Sequence, residues 1–189
     1  MPTPGNVPDL CDGAIALRPW LRGDTGLLAE ASADPAIRRY SLSRSQPYTA
    51  AEAAQELRDC ESTWLTFDAS GRPTGSVVIT DVTTGDSFGQ CGVDEWSAGD
   101  VAQIGYWLLP RARRRGLATR AVVLLTGWLF DLGARRVFLT VVEDNHASVR
   151  VAQRAGFRLE GPTEDHHLWD GRRYGVLRFA VTAEEWQRE

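Results

Sequence analysis

The fold is decided by the stretch from residue 101 to residue 132, which reads VAQIGYWLLPRARRRGLATRAVVLLTGWLFDL. Its first nine residues are mostly apolar and end at Pro110, which is typical of a buried β-strand over residues 101–109. From Leu117 onward, apolar residues recur at helical spacing as far as Leu132, and Gly133 is a typical helix stop. The stretch therefore predicts a strand, an arginine-rich loop and a helix, in that order.

The segments on either side predict a mixed α/β sheet. Apolar and β-branched runs bounded by turn residues predict strands over residues 15–20, 64–67, 76–80, 137–142, 157–159 and 174–181. Helices are expected after Asp24, after Thr49, which forms a capping-box pattern with Glu52, and over residues 147–155. Residues 83–100 are rich in Gly, Asp and Ser and predict a long, mobile connection. The order of elements predicts antiparallel pairing first and a parallel segment near the middle of the sheet.

Composition narrows the class of protein. A length of 189 residues suits one domain, which we expect over residues 13–189 after a loose leader over residues 1–12. The formal net charge of -4 combines 21 basic residues, all of them arginine, with 25 acidic ones, so no overall positive field favours nucleic acid or anionic lipid. Uncharged runs reach only about half of the ~20 residues that a membrane span requires. Cys11, Cys60 and Cys91 are odd in number and far apart, which predicts reduced thiols in a cytoplasmic protein and no zinc site.

The loop before the long helix has the features of an anion site. A helix start carries unpaired N–H groups and a partial positive charge, and Gly116 and Ala118 leave the approach to them open. Four arginines, at positions 111, 113, 114 and 115, can add charge-assisted hydrogen bonds to phosphate oxygens. Neither a Gly-Lys-Ser/Thr motif nor a three-glycine dinucleotide turn is present, so NTP and NAD are poor candidates. A pyrophosphate fits the loop better than a single phosphate does.

With this loop and the blocks around it, the sequence resembles the GNAT acyl-CoA-dependent N-acyltransferases, and in particular the branch similar to the RimJ/RimL ribosomal-protein acetyltransferases. The six residues RRRGLA at 113–118 match the family's pyrophosphate signature. Further matching blocks are LRPW at 17–20, IGYWLLP at 104–110, NHAS at 145–148 and AGF at 155–157. Because they follow one another in the family's order along nearly the whole chain, the resemblance implies a mostly antiparallel sheet with a splayed parallel strand pair and flanking helices.

The resemblance also implies a coenzyme A site between the strands at 101–109 and 137–142. Backbone groups of Trp107, Leu108 and Leu109 would pair with the pantetheine arm, and Asn145 would contact it. The pyrophosphate would be held by the segment Arg113, Arg114, Arg115, Gly116, Leu117, Ala118 and Thr119. Ser148 would lie near the sulfur, and acetyl-CoA would serve as co-substrate without a metal.

Transfer of an acyl group to an amine needs a polarised carbonyl, a base and an acid for the departing thiolate. The backbone N–H of Leu109 is our candidate for polarising the carbonyl, and Ser148 is the candidate acid, since this chain lacks the Tyr that many relatives carry in the following helix. Glu143 is the candidate base because it lies at the carboxyl end of a strand, where open α/β sheets place their ligands, and Asp144, Asp94 and Glu95 are alternatives. Relatives often carry Glu where Gln103 stands, so this chain lacks one obvious base on the strand. His166 and His167 are interpreted as loop or strand residues, and Trp96 as a loop residue over the acceptor.

The sequence therefore predicts an N-acetyltransferase that acts on a primary amine, either a protein N-terminus or a small molecule, in a ternary complex. Two alternatives stay open: a CoA-binding regulatory protein without turnover, and a nucleic-acid-binding module centred on Arg111 to Arg115. Acidic residues at positions 81, 86, 94, 95 and 100 suit a cationic acceptor. A homodimer, which is common in the family, is a further expectation.

Overall fold

The computed structural model describes residues 10–42, 46–60 and 65–186. Nine strands are assigned in these ranges: β1 (Leu10–Cys11), β2 (Ile15–Arg18), β3 (Thr66–Phe67), β4 (Pro73–Asp81), β5 (Ser87–Ser97), β6 (Val101–Leu108), β7 (Arg136–Val142), β8 (Arg158–Trp169) and β9 (Arg172–Thr182). The α-helices are α1 (Thr25–Ala33), α2 (Pro35–Ile37), α3 (Ala50–Cys60), α4 (Leu117–Asp131), α5 (His146–Arg154) and α6 (Ala183–Trp186). Short 3-10 turns cover Arg22–Asp24 and Pro110–Ala112, and a π-helical turn covers Arg38–Leu42.

All the strands form one sheet in the order β1-β2-β4-β5-β6-β7-β9-β8, with β3 added beside β4. Among the described strands, only β6 and β7 run parallel, and every other neighbouring pair is antiparallel. This confirms the predicted mixed sheet with one parallel pair near its middle. The parallel pair requires a crossover, and α4 is the helix that makes it.

Helices cover both faces of the sheet because its central strands are apolar on both sides. Helix α4 buries one stripe at helical spacing, including Leu117, Ala121, Leu125 and Trp128, against the larger core. The smaller core lies on the other face, where α1 and α3 pack with Trp107 and neighbouring residues. No helix in the described ranges is both long and apolar enough to cross a bilayer.

The predicted mobile connection at residues 83–100 is wrong, because most of it is the central strand β5. Its glycines are needed by strand packing: a Cβ on Gly89 would lie 2.1 Å from the backbone oxygen of Trp107, and one on Gly92 would lie 2.4 Å from that of Gly75. A polar, glycine-rich composition predicts a loop, whereas here glycine permits a close approach of neighbouring strands.

The predicted helix caps before α3 and α1 have different outcomes. The capping box is confirmed, since Thr49 N donates to Glu52 Oε2 at 2.7 Å and Glu52 N donates to Thr49 Oγ1 at 3.2 Å. Asp24 precedes α1 as expected, but its carboxylate accepts hydrogen bonds from Arg18 and Leu21 N instead of capping the helix.

Two predicted boundaries also move. Residues 10 and 11, expected in the leader, form β1 and pair with β2, so the sheet begins before residue 13. Residues 1–9 of the expected leader and Trp64 of the first hairpin strand lie outside the described residues. The strand predicted at 157–159 extends to Trp169, because β9 pairs with it over most of its length.

Candidate functional site

The parallel strands β6 and β7 separate to open a cleft in the sheet. They pair only from Val101 opposite Arg136 to Gln103 opposite Phe138. Beyond this point β6 continues to pair with β5, and β7 continues to pair with β9 as far as Val142. One backbone edge of each strand therefore faces the gap. An extended ligand can pair with such an edge as an added strand would.

The cleft has two compartments. The helix compartment, of about 530 Å³, is lined by the first turns of α4 and α5, including Gly116, Thr119 and Ser148. The strand compartment, of about 360 Å³, is lined by residues of five strands, among them Asp94 and His167. The two share the residues Tyr40, Ser41, Tyr106, Trp107, Asn145 and Ser148, which form the junction of the cleft.

The amino end of α4 supplies an anion site to the helix compartment. Gly116 precedes the helix with φ +77°, a left-handed conformation that glycine adopts readily, and no side chain caps the terminus. The N–H groups of Leu117, Ala118 and Thr119 therefore keep their hydrogen-bonding capacity for a ligand. Together with the helix dipole, they favour phosphate oxygens at this position.

The four arginines of the loop do not form one cluster. Arg113 binds Asp34 through two hydrogen bonds, of 2.8 and 3.3 Å, and its Nε donates to Leu108 O. Arg111 pairs with Glu30, and the Arg115 guanidinium stacks on the Phe88 ring. Arg114 is exposed and lines the helix compartment, where it makes no ion pair with a described residue. On α5, Arg150 and Arg154 line the same compartment.

The backbone prediction for Leu109 needs correction. Its N–H donates to Phe88 O at 2.8 Å, so it is engaged in the pairing with β5 and is not available to polarise a carbonyl. Because hydrogen-bonding direction alternates along a strand, the amides of Trp107 and Leu109 point towards β5, while those of Tyr106 and Leu108 point towards the gap. Tyr106 and Leu108 are thus the backbone donors that the cleft offers.

A hydroxyl pair occupies the junction. The Tyr106 hydroxyl lies 2.8 Å from Ser148 Oγ, within hydrogen-bond distance. Asn145 caps α5 by accepting from Ser148 N at 3.2 Å, so the Ser148 side chain is not used as a helix cap. Burial raises the pKa of Tyr106 to about 12, although the hydrogen bond to Ser148 acts in the opposite direction. Sequence reasoning missed Tyr106 because a Tyr within an apolar strand is typical of a core residue.

Asp94 reaches the strand compartment through a β-bulge. The register of β5 and β6 shifts between Val93 and Glu95, which leaves Asp94 without a strand partner and redirects its side chain. Its carboxylate lies over Gly105, where a Cβ would be only 2.8 Å from Oδ2. The group is open to water through the cleft, yet enough protein surrounds it that burial raises its pKa.

The other candidate carboxylates lie elsewhere. Glu143 is exposed and absent from the described lining of both compartments, and its Oε1 accepts a hydrogen bond from Gly175 N at 3.1 Å. Asp144 is held by Arg39 at 2.6 Å and by the Tyr40 hydroxyl at 3.1 Å. The structure thus brings Ser148 to the junction and leaves Glu143 outside it.

Trp96 and the two adjacent histidines lie on strands. Trp96 lies on β5, paired with Ala102, and packs against the larger core, so it is not a mobile cover over the acceptor. His166 and His167 lie on β8, which agrees with their interpretation as strand residues. Across the described ranges, no three His, Cys, Asp or Glu side chains are grouped closely enough to hold a metal ion.

The separated strands β6 and β7 and the uncapped start of α4 together form a cleft that suits an elongated, anionic ligand. The model of the acetyltransferase (GNAT) domain family matches residues 15–158. The chain belongs to this family.

Individual relatives agree with this assignment. A Bacillus subtilis protein named "Putative ribosomal N-acetyltransferase YdaF" is 29% identical over 89 residues, which cover 47% of this chain and 49% of the relative. The match therefore spans about half the length of that curated relative. Among solved structures, a GNAT-family acetyltransferase from Bacillus anthracis superposes with a TM-score of 0.78 at 15% identity, covering 93% of this chain and 99% of the other. Spermidine N-acetyltransferase from Vibrio cholerae, in complex with CoA and spermine, gives 0.76 at 17% identity with the same coverage.

Proposed function

We propose that the protein is an N-acetyltransferase that moves the acetyl group from acetyl-CoA to a primary amine by direct attack in a ternary complex. The observation that carries this proposal is the meeting of the two compartments at the Tyr106 and Ser148 hydroxyls. One compartment has the chemistry for a phosphorylated donor and the other has a carboxylate for an amine. A junction between them suits transfer of a small group from one ligand to the other.

Two features of the helix compartment support coenzyme A as its ligand: the positively charged groups that line it and its place beside the free edge of β6. The amides of Leu117, Ala118 and Thr119, with Arg114 beside them, would hold the pyrophosphate. Arg150 and Arg154 would face the phosphorylated nucleotide end. The pantetheine arm would pair with the free edge of β6, which ends at the junction where Asn145 and Ser148 lie.

The junction supplies two of the chemical needs of the reaction. A thioester carbonyl that receives a hydrogen bond from the Tyr106 or Leu108 amide becomes more electrophilic, and the negative charge that develops on its oxygen is stabilised. The amine nitrogen attacks the carbonyl carbon, a C–N bond forms and the C–S bond breaks. Ser148 then protonates the departing thiolate and recovers its proton through the hydroxyl of Tyr106.

The acceptor is proposed to be a cationic amine, because the strand compartment contains Asp94. A carboxylate in a partly enclosed site attracts an ammonium group more strongly than one on the open surface. The names of two of the relatives, a ribosomal N-acetyltransferase and a spermidine N-acetyltransferase, favour two forms of this acceptor, a protein amine and a polyamine.

The two alternatives are less well supported. A CoA-binding protein without turnover would not need a hydroxyl pair at the meeting point of the compartments. A nucleic-acid site would need the loop arginines to be available together, but Arg111 and Arg113 are neutralised by Glu30 and Asp34. A cytoplasmic location, where acetyl-CoA is available, and a homodimer remain proposals.

Calorimetric titration with acetyl-CoA tests the cofactor site. Thr119 is the third residue of α4, where Glu is favourable to a helix, so Thr119→Glu places a carboxylate in the anion site without harming the fold. A like charge about 5 Å from a bound phosphate would cost about 3 kcal/mol at an effective dielectric constant near 20, and we expect affinity to fall by about 100- to 200-fold.

The matched control is Thr119→Gln, which has nearly the same shape and no charge and should bind almost as the wild type does. Release of free thiol with spermidine and with a serine-N-terminal peptide as acceptors then tests turnover. A folded wild-type protein that does not bind acetyl-CoA would refute the proposal.

A further inference from the structure

We propose that His167 is the general base that removes a proton from the acceptor amine. This inference rests on the proposed function and adds a residue to it. The steps of the proposed reaction use neither His166 nor His167, the two adjacent histidines of the sequence. The reaction also lacks a base, because Glu143 is bound to the backbone of β9 and Asp144 is bound to Arg39.

The strand register directs His167 into the cleft. His167 lies opposite Tyr174 on β9, and His166 lies opposite Gly175. Side chains on one face of a strand recur at every second residue, so Tyr174 shares its face with Val176 and Arg178, which line the strand compartment. Directly paired residues point to the same face of a sheet, so the His167 side chain lies on the face that carries Val176 and Arg178. The His166 side chain lies on the opposite face of β8, although His166 also contributes to the lining of the compartment.

The environments of the two imidazoles differ accordingly. His167 is partly buried, and its Nε2 atom is shielded from solvent with no hydrogen-bond partner among the described residues. His166 is exposed, with Nδ1 3.1 Å from Glu164 O. Buried polar atoms are nearly always hydrogen-bonded in folded proteins, so this nitrogen is available to a partner that enters the cleft once the imidazole turns towards it. An amine N–H is such a partner.

The proton balance of the reaction gives His167 a definite task. The acceptor arrives as an ammonium ion, R-NH3+, which has no lone pair for attack. His167 takes one proton, directly or through one water, and later releases it to solvent. The resulting R-NH2 attacks the thioester, and as the amide forms its nitrogen releases a second proton to water, which replaces the proton that the Ser148 and Tyr106 pair gives to the thiolate. Ser148 and Tyr106 protonate the thiolate, so the products are the amide, CoA-SH and one proton in solution.

Other titratable or charged groups line the same compartment and affect any pH profile: Tyr40 of the π-helical turn, Asp94 on β5, Tyr106 on β6, His166 on β8 and Arg178 on β9. Tyr174, the strand partner of His167, is covered by the Arg39 guanidinium, which is in turn paired with Asp144. Asp94 is the strongest competitor as a base, since its carboxylate borders the same compartment. We assign it to binding the ammonium ion, because it contributes the negative charge that the imidazole lacks.

The test measures the pH dependence of kcat/KM with spermidine and with a serine-N-terminal peptide, in the wild type and in His167→Gln. Titration of the amine itself is common to both proteins and cancels in their ratio. General bases contribute about 10²- to 10⁴-fold, so we expect a loss of that size at neutral pH. The ratio of wild type to variant should fall as the pH is lowered, because protonation inactivates the base that only the wild type has.

Two control variants separate this role from others. His166→Gln changes the neighbouring imidazole, which also lines the compartment but lies on the opposite face of β8 with Nδ1 beside Glu164 O, and should keep the wild-type pH profile and lose far less rate than His167→Gln. Asp94→Asn should raise KM for the amine and keep the pH dependence. A profile unchanged in His167→Gln and lost in Asp94→Asn would overturn the proposal and assign the base to Asp94.

A second measurement does not depend on turnover. Coenzyme A joined through an S-acetyl linker to butylamine would occupy both compartments, and the imidazole NMR signals would report on contact, with each signal assigned from its His→Gln variant. The His167 signal should shift with this probe more than with coenzyme A alone, and this additional shift should be larger than that of the His166 signal. Binding of the probe without a shift of His167 overturns this inference alone, whereas no binding of coenzyme A overturns the proposed function.

Discussion

Replacement of Arg113 should reduce the stability of the protein more than its affinity for acetyl-CoA. The sequence assigns this arginine to the pyrophosphate, but its guanidinium is held by Asp34, whose side chain is only 12% exposed. Nε also donates to Leu108 O at 3.1 Å, which ties the loop to β6. In Arg113→Ala the Asp34 carboxylate would stay largely buried without its cation.

The size of the effect follows from this geometry. Removing one partner of a fully buried ion pair costs about 3–5 kcal/mol. Arg113 is 38% exposed, so solvent screens the pair and we reduce the expected cost to about 2 kcal/mol. For a chain of this length, this corresponds to a fall in Tm of about 4–8 °C.

The pH dependence gives a second check on the Arg113 prediction. Burial acts to raise the pKa of Asp34, but hydrogen bonds from Arg113 and from the Ile37 amide outweigh it, so the pKa lies below its ordinary value. A lowered pKa means that the carboxylate stabilises the fold above its unfolded pKa, near 4, and that this stabilisation is lost as the pH falls towards the folded pKa. The difference in Tm between wild type and Arg113→Ala should therefore be full at pH 7 and shrink below about pH 4.

Differential scanning calorimetry and titration with acetyl-CoA, applied to both proteins, decide the question. Arg114→Ala is the matched control, since Arg114 is exposed, lines the helix compartment and makes no ion pair with a described residue. It should lose affinity and keep its Tm. An Arg113→Ala protein with unchanged Tm and much weaker binding would refute the structural role of this arginine.

Two further predictions concern the junction and the strand compartment. Tyr106→Phe removes the hydroxyl partner of Ser148, and kcat should fall by about 10- to 100-fold while the Kd for acetyl-CoA stays the same, as single-turnover kinetics and titration can show; an unchanged kcat would mean that Ser148 works without it. Gly105→Ala places a methyl group 2.8 Å from Asp94 Oδ2 and should displace that carboxylate, which raises KM for the amine in initial-rate measurements, and combining it with Asp94→Asn should add little.

The elements of the fold were largely predictable because their signals are local. Helical spacing over residues 117–132, the Thr49 and Glu52 pair, and the glycine after α4 each act within a few residues of the chain. The anion site at the start of α4 belongs to the same group, since the helix terminus and its glycine are adjacent in sequence. The error at residues 83–100 arose where a local signal was ambiguous, because glycine serves both loops and closely packed strands.

The sequence by itself thus determined the class of the fold, the order of its elements and the position of the glycine-containing turn before α4, where we propose that the pyrophosphate binds. Tertiary structure decided which groups are available for chemistry. It pairs Arg113 with Asp34, which lies 79 positions earlier in the chain, and in this way distinguishes Arg113 from Arg114. It also brings the Tyr106 hydroxyl to Ser148, which lies 42 positions later. Strand register turned His167 inward, and a bulge turned Asp94 into the cleft. These outcomes depend on pairing between segments that are distant in the chain, and a shift of one residue in register reverses the face that each side chain occupies.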